Sequence, residues 1–199
     1  MQPSAFFLPS VPPRPAATKM NSATLYTNSV ARLALLFHEN LADLGQFAPV
    51  QAEELPHDER VLLAHNDHMT VTLEAFHNSL VDVHVLEQTH DESSYSREIL
   101  LTRQSDDRVV LFGIMRIWLS DLPAEAREEI MSGETPLGRV LIRHSLLRDV
   151  ELMTLWRIKP TKYLREHLDV PEDTPAYGRT AQILVDERPT VQLLEIVRV

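Results

Sequence analysis

The chain contains no cysteine. That absence removes disulfides, thiolate metal centres and a cysteine nucleophile together. Glycine is also scarce, five in 199 residues, and neither a Gly-rich phosphate loop, a GxSxG elbow nor a Walker signature is present. No apolar run approaches the roughly 20 residues that a membrane helix needs, so neither a membrane-spanning role nor a membrane partner is expected. Cations are in deficit: 19 Lys and Arg stand against 29 Asp and Glu, a formal net charge of −10. Such a balance disfavours non-specific association with nucleic acid or anionic membrane, and no nucleic-acid partner is expected.

What remains is the composition of a globular protein, 44% apolar and 24% charged, long enough for one domain with a sizeable core. It would be at home in cytoplasm. Residues 1–20 hold Pro3, Pro9, Pro12, Pro13 and Pro15 and no acid. They read as a disordered tail, with Met20 as an alternative start and residues 21–199 as the domain. Val30, Leu33, Ala34, Phe37, Leu41 and Leu44 recur at helical spacing, with Gly45 as the stop. Further helical pieces are expected at 58–65 and 69–76. From Leu80 the period becomes alternating, predicting strands at about 80–85, 95–103 and 108–119. A helix then ends near Gly133, and a short one opens at Thr135-Pro136. A strand at 150–158, a helix at 160–168 and a hairpin at 179–199 complete the chain. This order indicates an α+β fold, a single domain with an antiparallel β-sheet flanked by helices.

Arg97 shares a strand face with Ile99. If that face is interior, Arg97 is a buried cation whose fork of donors calls for an anion, for which a carboxylate is the natural partner. The alternative is an edge arginine paired with a surface acid. Glu195 is the one charged residue in the apolar run 191–197 and must be hydrogen-bonded, neutral or exposed. Asp67-His68-Met69 and Thr135-Pro136-Leu137-Gly138 each open a helix and leave amides without intrahelical partners, which suit an anion. His65 and His68, three apart, invite a zinc reading, but they span a cap rather than one helix face, so no metal is expected.

The strings HMTVTLEAFH (68–77), YSREILL (95–101), TPLGRVL (135–141) and VQLLEIV (191–197), with RDVE (148–151) and YGRTA (177–181) between the last two, together resemble the chorismate pyruvate-lyase family. Those enzymes split chorismate into 4-hydroxybenzoate and pyruvate. The resemblance spans roughly residues 58–199. It implies a chorismate-lyase-like fold and a cofactor-free carbon–oxygen lyase with chorismate as substrate. Arg97 would hold the ring carboxylate and Glu195 the ring hydroxyl as the catalytic pair. The amides of Met69 and Leu137 would bind substrate, and Arg139 and Arg179 would support the enolpyruvyl carboxylate. Chorismate is a dianion, so these arginines would have to reverse the sign of the protein's field. Loss of the enolpyruvyl group makes an aromatic ring, so the protein need only orient the substrate and stabilise charge. The long connection between Arg148 and Arg179 carries its own helix and is expected either to cap or to reshape the pocket. The same fold also serves as the effector-sensing domain of some transcriptional regulators, so a non-catalytic binding module is the alternative. A related enzyme on another aromatic or enolpyruvyl acid is a third reading. The lack of a preceding winged-helix segment weighs against the regulator.

Overall fold

The computed structural model describes residues 29–144 and 148–199; the expected tail at 1–20 and the alternative start at Met20 lie outside them. Seven strands form one sheet: β1 (Gly45–Val50), β2 (Val81–His90), β3 (Ser94–Arg103), β4 (Val109–Trp118), β5 (Arg148–Pro160), β6 (Ala176–Val185) and β7 (Arg188–Val197). Their order is β1-β5-β6-β7-β4-β3-β2, and every neighbouring pair is antiparallel. The architecture is therefore the α+β single domain expected.

Alternation along the strands sends side chains to two faces, and each face is covered by different helices. One face carries α2 (His57–Leu63), α3 (Met69–His77), α4 (Ala124–Ser132) and α5 (Leu137–Arg143). Leu62, Leu73, Ile130 and Val140, one from each, are fully buried there against Ile117, Val191 and Ile183. The other face carries α1, whose described part is 29–34, and α6 (Lys162–Leu168). Val30, Ala34, Leu164 and Leu168 are sealed there over Phe112, Trp156 and Ile196. Burying each such side chain contributes about 1.5–3 kcal/mol, and truncating the fully buried Trp156 to Ala would cost about 3–5 kcal/mol.

Two expectations change. The helix predicted to run to Leu44 stops near residue 34, and Leu41–Asp43 forms only a 3-10 turn. Gly45 then begins strand β1 instead of ending a helix. A Cβ there would lie 2.6 Å from the Lys159 carbonyl oxygen, so the glycine serves the close approach of β1 to β5. The helix expected as a cap or reshaper of the pocket is α6. It is N-capped by Thr161, whose hydroxyl accepts from the Leu164 amide, and it packs on the face opposite α3 and α5. It does not cover them.

Candidate functional site

Cross-strand register sets the floor of the site on the α3/α5 face. Ile99, Gly113, Glu195 and Arg179 form one row across β3, β4, β7 and β6; Arg97, Met115, Leu193 and Ala181 form the next. Above the floor the starts of α3 and α5 meet closely. A Cβ on Gly138 would sit 3.0 Å from Thr70 Oγ1, so glycine lets the two helix ends cross. Between floor and roof lies a cavity of about 40 Å³, lined among others by Met69, Leu137, Ile99, Met115, Leu193 and Glu195. That room admits a few waters and is far below the roughly 300 Å³ of a typical ligand pocket. The site is small, and Met69, Met115, Leu137 and Leu193 border it closely.

Arg97 is wholly buried and does not itself line the cavity, which it reaches through its strand partner Met115. Its Nε donates to Met115 Sδ at 3.4 Å and its Nη2 to the Thr135 carbonyl at 3.4 Å, just before α5. Nη1 is buried with no partner. Among the described residues no carboxylate lies within ion-pair distance of it. Burial pushes its pKa down from the ordinary arginine value, but a guanidinium remains charged at neutral pH. The result is a desolvated cation with a spare donor.

Glu195 is differently placed. Its Oε2 accepts from Arg179 Nε at 2.7 Å, and both side chains are almost entirely out of water. Arg179 Nη1 donates to the His65 carbonyl at 2.9 Å and Nη2 to the Asp67 carbonyl at 3.2 Å. It thereby ties the α2–α3 connection to the sheet. His65 completes the joint: Nε2 lies 2.6 Å from the Leu62 carbonyl, and Nδ1 accepts the Asp67 amide at 3.0 Å. These bonds assign the neutral tautomer protonated at Nε2. Burial first, then the charge of Arg179, lowers the His65 pKa. His65 is thus a structural joint with both ring nitrogens engaged.

The remaining expected residues divide. Met69 and Leu137 are the first residues of α3 and α5 and line the cavity with their side chains. Neither helix start has a capping side chain, which leaves their first amides without intrahelical acceptors. Arg139 ion-pairs with Glu74 on α3, and Glu74 also accepts the Val81 amide at 3.3 Å; Arg139 is not among the residues that line the cavity. Arg179, expected only as support, is the best-connected side chain of the site. Gly113 and Met115 were not anticipated, although a lone glycine within a strand is itself a signal of close approach.

No family model matches the chain, and no curated protein matches it. Solved structures do. PhnF from Mycobacterium smegmatis is similar at 13% identity over 66% of this chain, with a TM-score of 0.47, and the match spans 64% of the PhnF chain, under two-thirds of it. The structure described as the effector domain of PhnF gives 13% identity, 66% and 88% coverage and a TM-score of 0.48. The C-terminal domain of histidine utilization repressor from Pseudomonas syringae gives 11%, 59% and 90%, and 0.42.

The expectation of a carbon–oxygen lyase acting on chorismate is corrected here. Similar solved structures from Bordetella bronchiseptica and Bacillus cereus are described as the ligand-binding domain of a GntR-family transcriptional regulator and as a GntR-family regulator, and that from Pseudomonas syringae as a repressor domain; none of these is described as a lyase. The geometry runs the same way: the acid that was to hold a ring hydroxyl is engaged by Arg179, and the cavity measures only about 40 Å³. The expectation of no nucleic-acid partner rests on net charge alone and has no support beyond it. No helix among the described residues is long and apolar enough to cross a membrane.

Proposed function

We propose that residues 21–199 form a non-catalytic binding module of the effector-sensing type, whose ligand is a small planar organic acid. Its carboxylate is held by Arg97 beneath the starts of α3 and α5. The observation that carries this reading is the buried guanidinium of Arg97, with Nη1 unpartnered and no acid within reach among the described residues. Removing a cation from water costs several kcal/mol unless an anion compensates, and a carboxylate fits the guanidinium fork. The uncapped amides of Met69 and Leu137 lie on the same side and suit the same charge. A sensing role is preferred to a catalytic one because Glu195, the one carboxylate lining the cavity, is held in an ion pair. A cytoplasmic location belongs to the same proposal.

The charge of the buried groups selects among ligands. Arg97 and Arg179 carry two positive charges, Glu195 one negative, and His65 is neutral, so the site is complemented by a monoanion. The test is isothermal titration of the protein with benzoate, with a dicarboxylate of similar size and with benzamide. Binding of benzoate alone supports the reading. Binding of none, or equal binding of benzamide, removes Arg97 as a carboxylate anchor and the reading with it.

A further inference from the structure

Gly113 sits mid-strand in β4, between Ile99 on β3 and Glu195 on β7. Nothing in the backbone calls for glycine there. The positive-φ glycines are Gly45 and Gly133, so Gly113 has an extended conformation open to any residue. A Cβ would be tight only against a side-chain end, Leu111 Cδ2 at 3.1 Å, with Ile99 Cγ1 at 3.4 Å and the Leu194 carbonyl at 3.5 Å. Gly178 provides the contrast, since its Cβ would lie 2.6 Å from the Glu195 carbonyl oxygen, which cannot yield. A strand-interior glycine weakens a sheet and is found where a ligand or another backbone approaches closely. No other backbone approaches the Cβ position of Gly113 that closely, and it lies on the cavity floor below Met69 and Leu137.

We propose that Gly113 is the specificity-determining residue of the pocket. It leaves a bare strip of sheet on which the ring of a planar carboxylate lies flat, with its carboxylate toward Arg97. Leu111 and Met115 on the same strand face border the strip, Ile99 flanks it and Met69 roofs it. Met69 and Met115 are unbranched and rotate readily, so they widen the small cavity for a ring without moving the sheet. This inference rests on the ligand-binding reading above and adds the shape it selects.

The test uses Gly113→Ala in the full chain, with Gly113→Val as the larger step. Thermal melting comes first and requires no ligand. The Ala variant is expected to melt within about 3 °C of the wild type, because only the end of Leu111 must shift. A loss above about 10 °C would show that the glycine is structural and would overturn the inference. Titrations with sodium benzoate and sodium propionate follow. Gly113→Ala is expected to bind benzoate at least about tenfold more weakly while holding propionate within about threefold, and Gly113→Val to lose benzoate altogether. Unchanged benzoate affinity in the Ala variant overturns the role of Gly113 alone. If wild-type protein binds neither acid, the ligand reading itself fails and Gly113 falls with it.

Discussion

Arg179 and Glu195 occupy paired positions on β6 and β7, with Nε 2.7 Å from Oε2 and both side chains nearly sealed from water. Replacing Arg179 with Met leaves a buried carboxylate unpaired and frees the carbonyls of His65 and Asp67. A loss of about 3–5 kcal/mol is expected, read as a shift in urea midpoint at constant slope. Glu195→Gln retains an acceptor for Nε and should lose only about 1–3 kcal/mol. In the Arg179→Met/Glu195→Leu double variant most of the loss should return. A single Arg179→Met loss under about 1 kcal/mol would mean that the pair behaves as a surface ion pair.

Arg97 should behave in the opposite way. Its partners are weak, a methionine sulfur and one carbonyl at 3.4 Å with the Tyr95 hydroxyl nearby, and one donor is orphaned. Arg97→Met replaces a desolvated cation by an apolar group of similar length. Stability without ligand is expected to be unchanged or to rise by about 1–4 kcal/mol, while benzoate binding is lost. Destabilisation comparable to Arg179→Met would make Arg97 a structural residue.

These two arginines also show what was legible beforehand. That Arg97 shares a face with Ile99 was readable because alternation is local; that the face is interior was left open and is set by the helices packed on it. The Arg179–Glu195 pair was not. The turn at Asp186 and Glu187, both at positive φ, joins Val185 to Arg188, and uninterrupted pairing from there would set Arg179 against Leu194. A register shift between Ile183 and Leu184 moves it to Glu195, and a one-residue slip exchanges the faces of a strand. No local pattern announces that bulge. Strand β1 was missed for another reason: apart from Gly45 its residues are half-buried or exposed and Pro49 interrupts it, so no alternation marks it. The helix at 162–168 was read correctly as a helix, but which face it covers depends on strand order, which spacing does not encode.

His65 gives a pH signature. Its folded-state pKa lies below the ordinary 6.5, first from burial and then from the charge of Arg179; Asp67 and Glu195 act in the opposite sense. The unfolded chain therefore binds a proton before the folded one does. Stability is fully present above 6.5 and falls as pH drops below it, until the folded residue also titrates. Protonating Nδ1 would also remove the acceptor for the Asp67 amide. His65→Asn keeps an acceptor near that position without titrating. Urea midpoints at pH 5 and pH 8, values straddling about one histidine pKa, should differ less for His65→Asn than for wild type; equal differences would exclude His65 as the source.

On the opposite face Glu98, 1% exposed, follows Arg97 on β3. It accepts from Tyr163 on α6 and is bonded by His38 Nε2 at 2.6 Å. These bonds fasten α6 and the segment after α1 to the strand that carries Arg97. Tyr163→Phe removes one of the two donors to a buried carboxylate, and a loss of about 1–3 kcal/mol at neutral pH is expected. Burial first, then the hydrogen bond and charge of Glu98, raises the Tyr163 pKa above its ordinary 10.0. The sign is opposite to that of His65. A raised pKa means the folded state retains a proton that the unfolded state releases, so this contribution is intact below 10.0 and declines as pH rises through it. Between about pH 9 and 11 wild-type protein should therefore lose stability more steeply than Tyr163→Phe, and absorbance at the phenolate band should show one late-titrating tyrosine fewer in the variant, where Tyr95, itself raised by burial, remains. If both proteins lose stability in parallel over that range, Tyr163 is not holding its proton for Glu98 and the tie between α6 and β3 is packing alone.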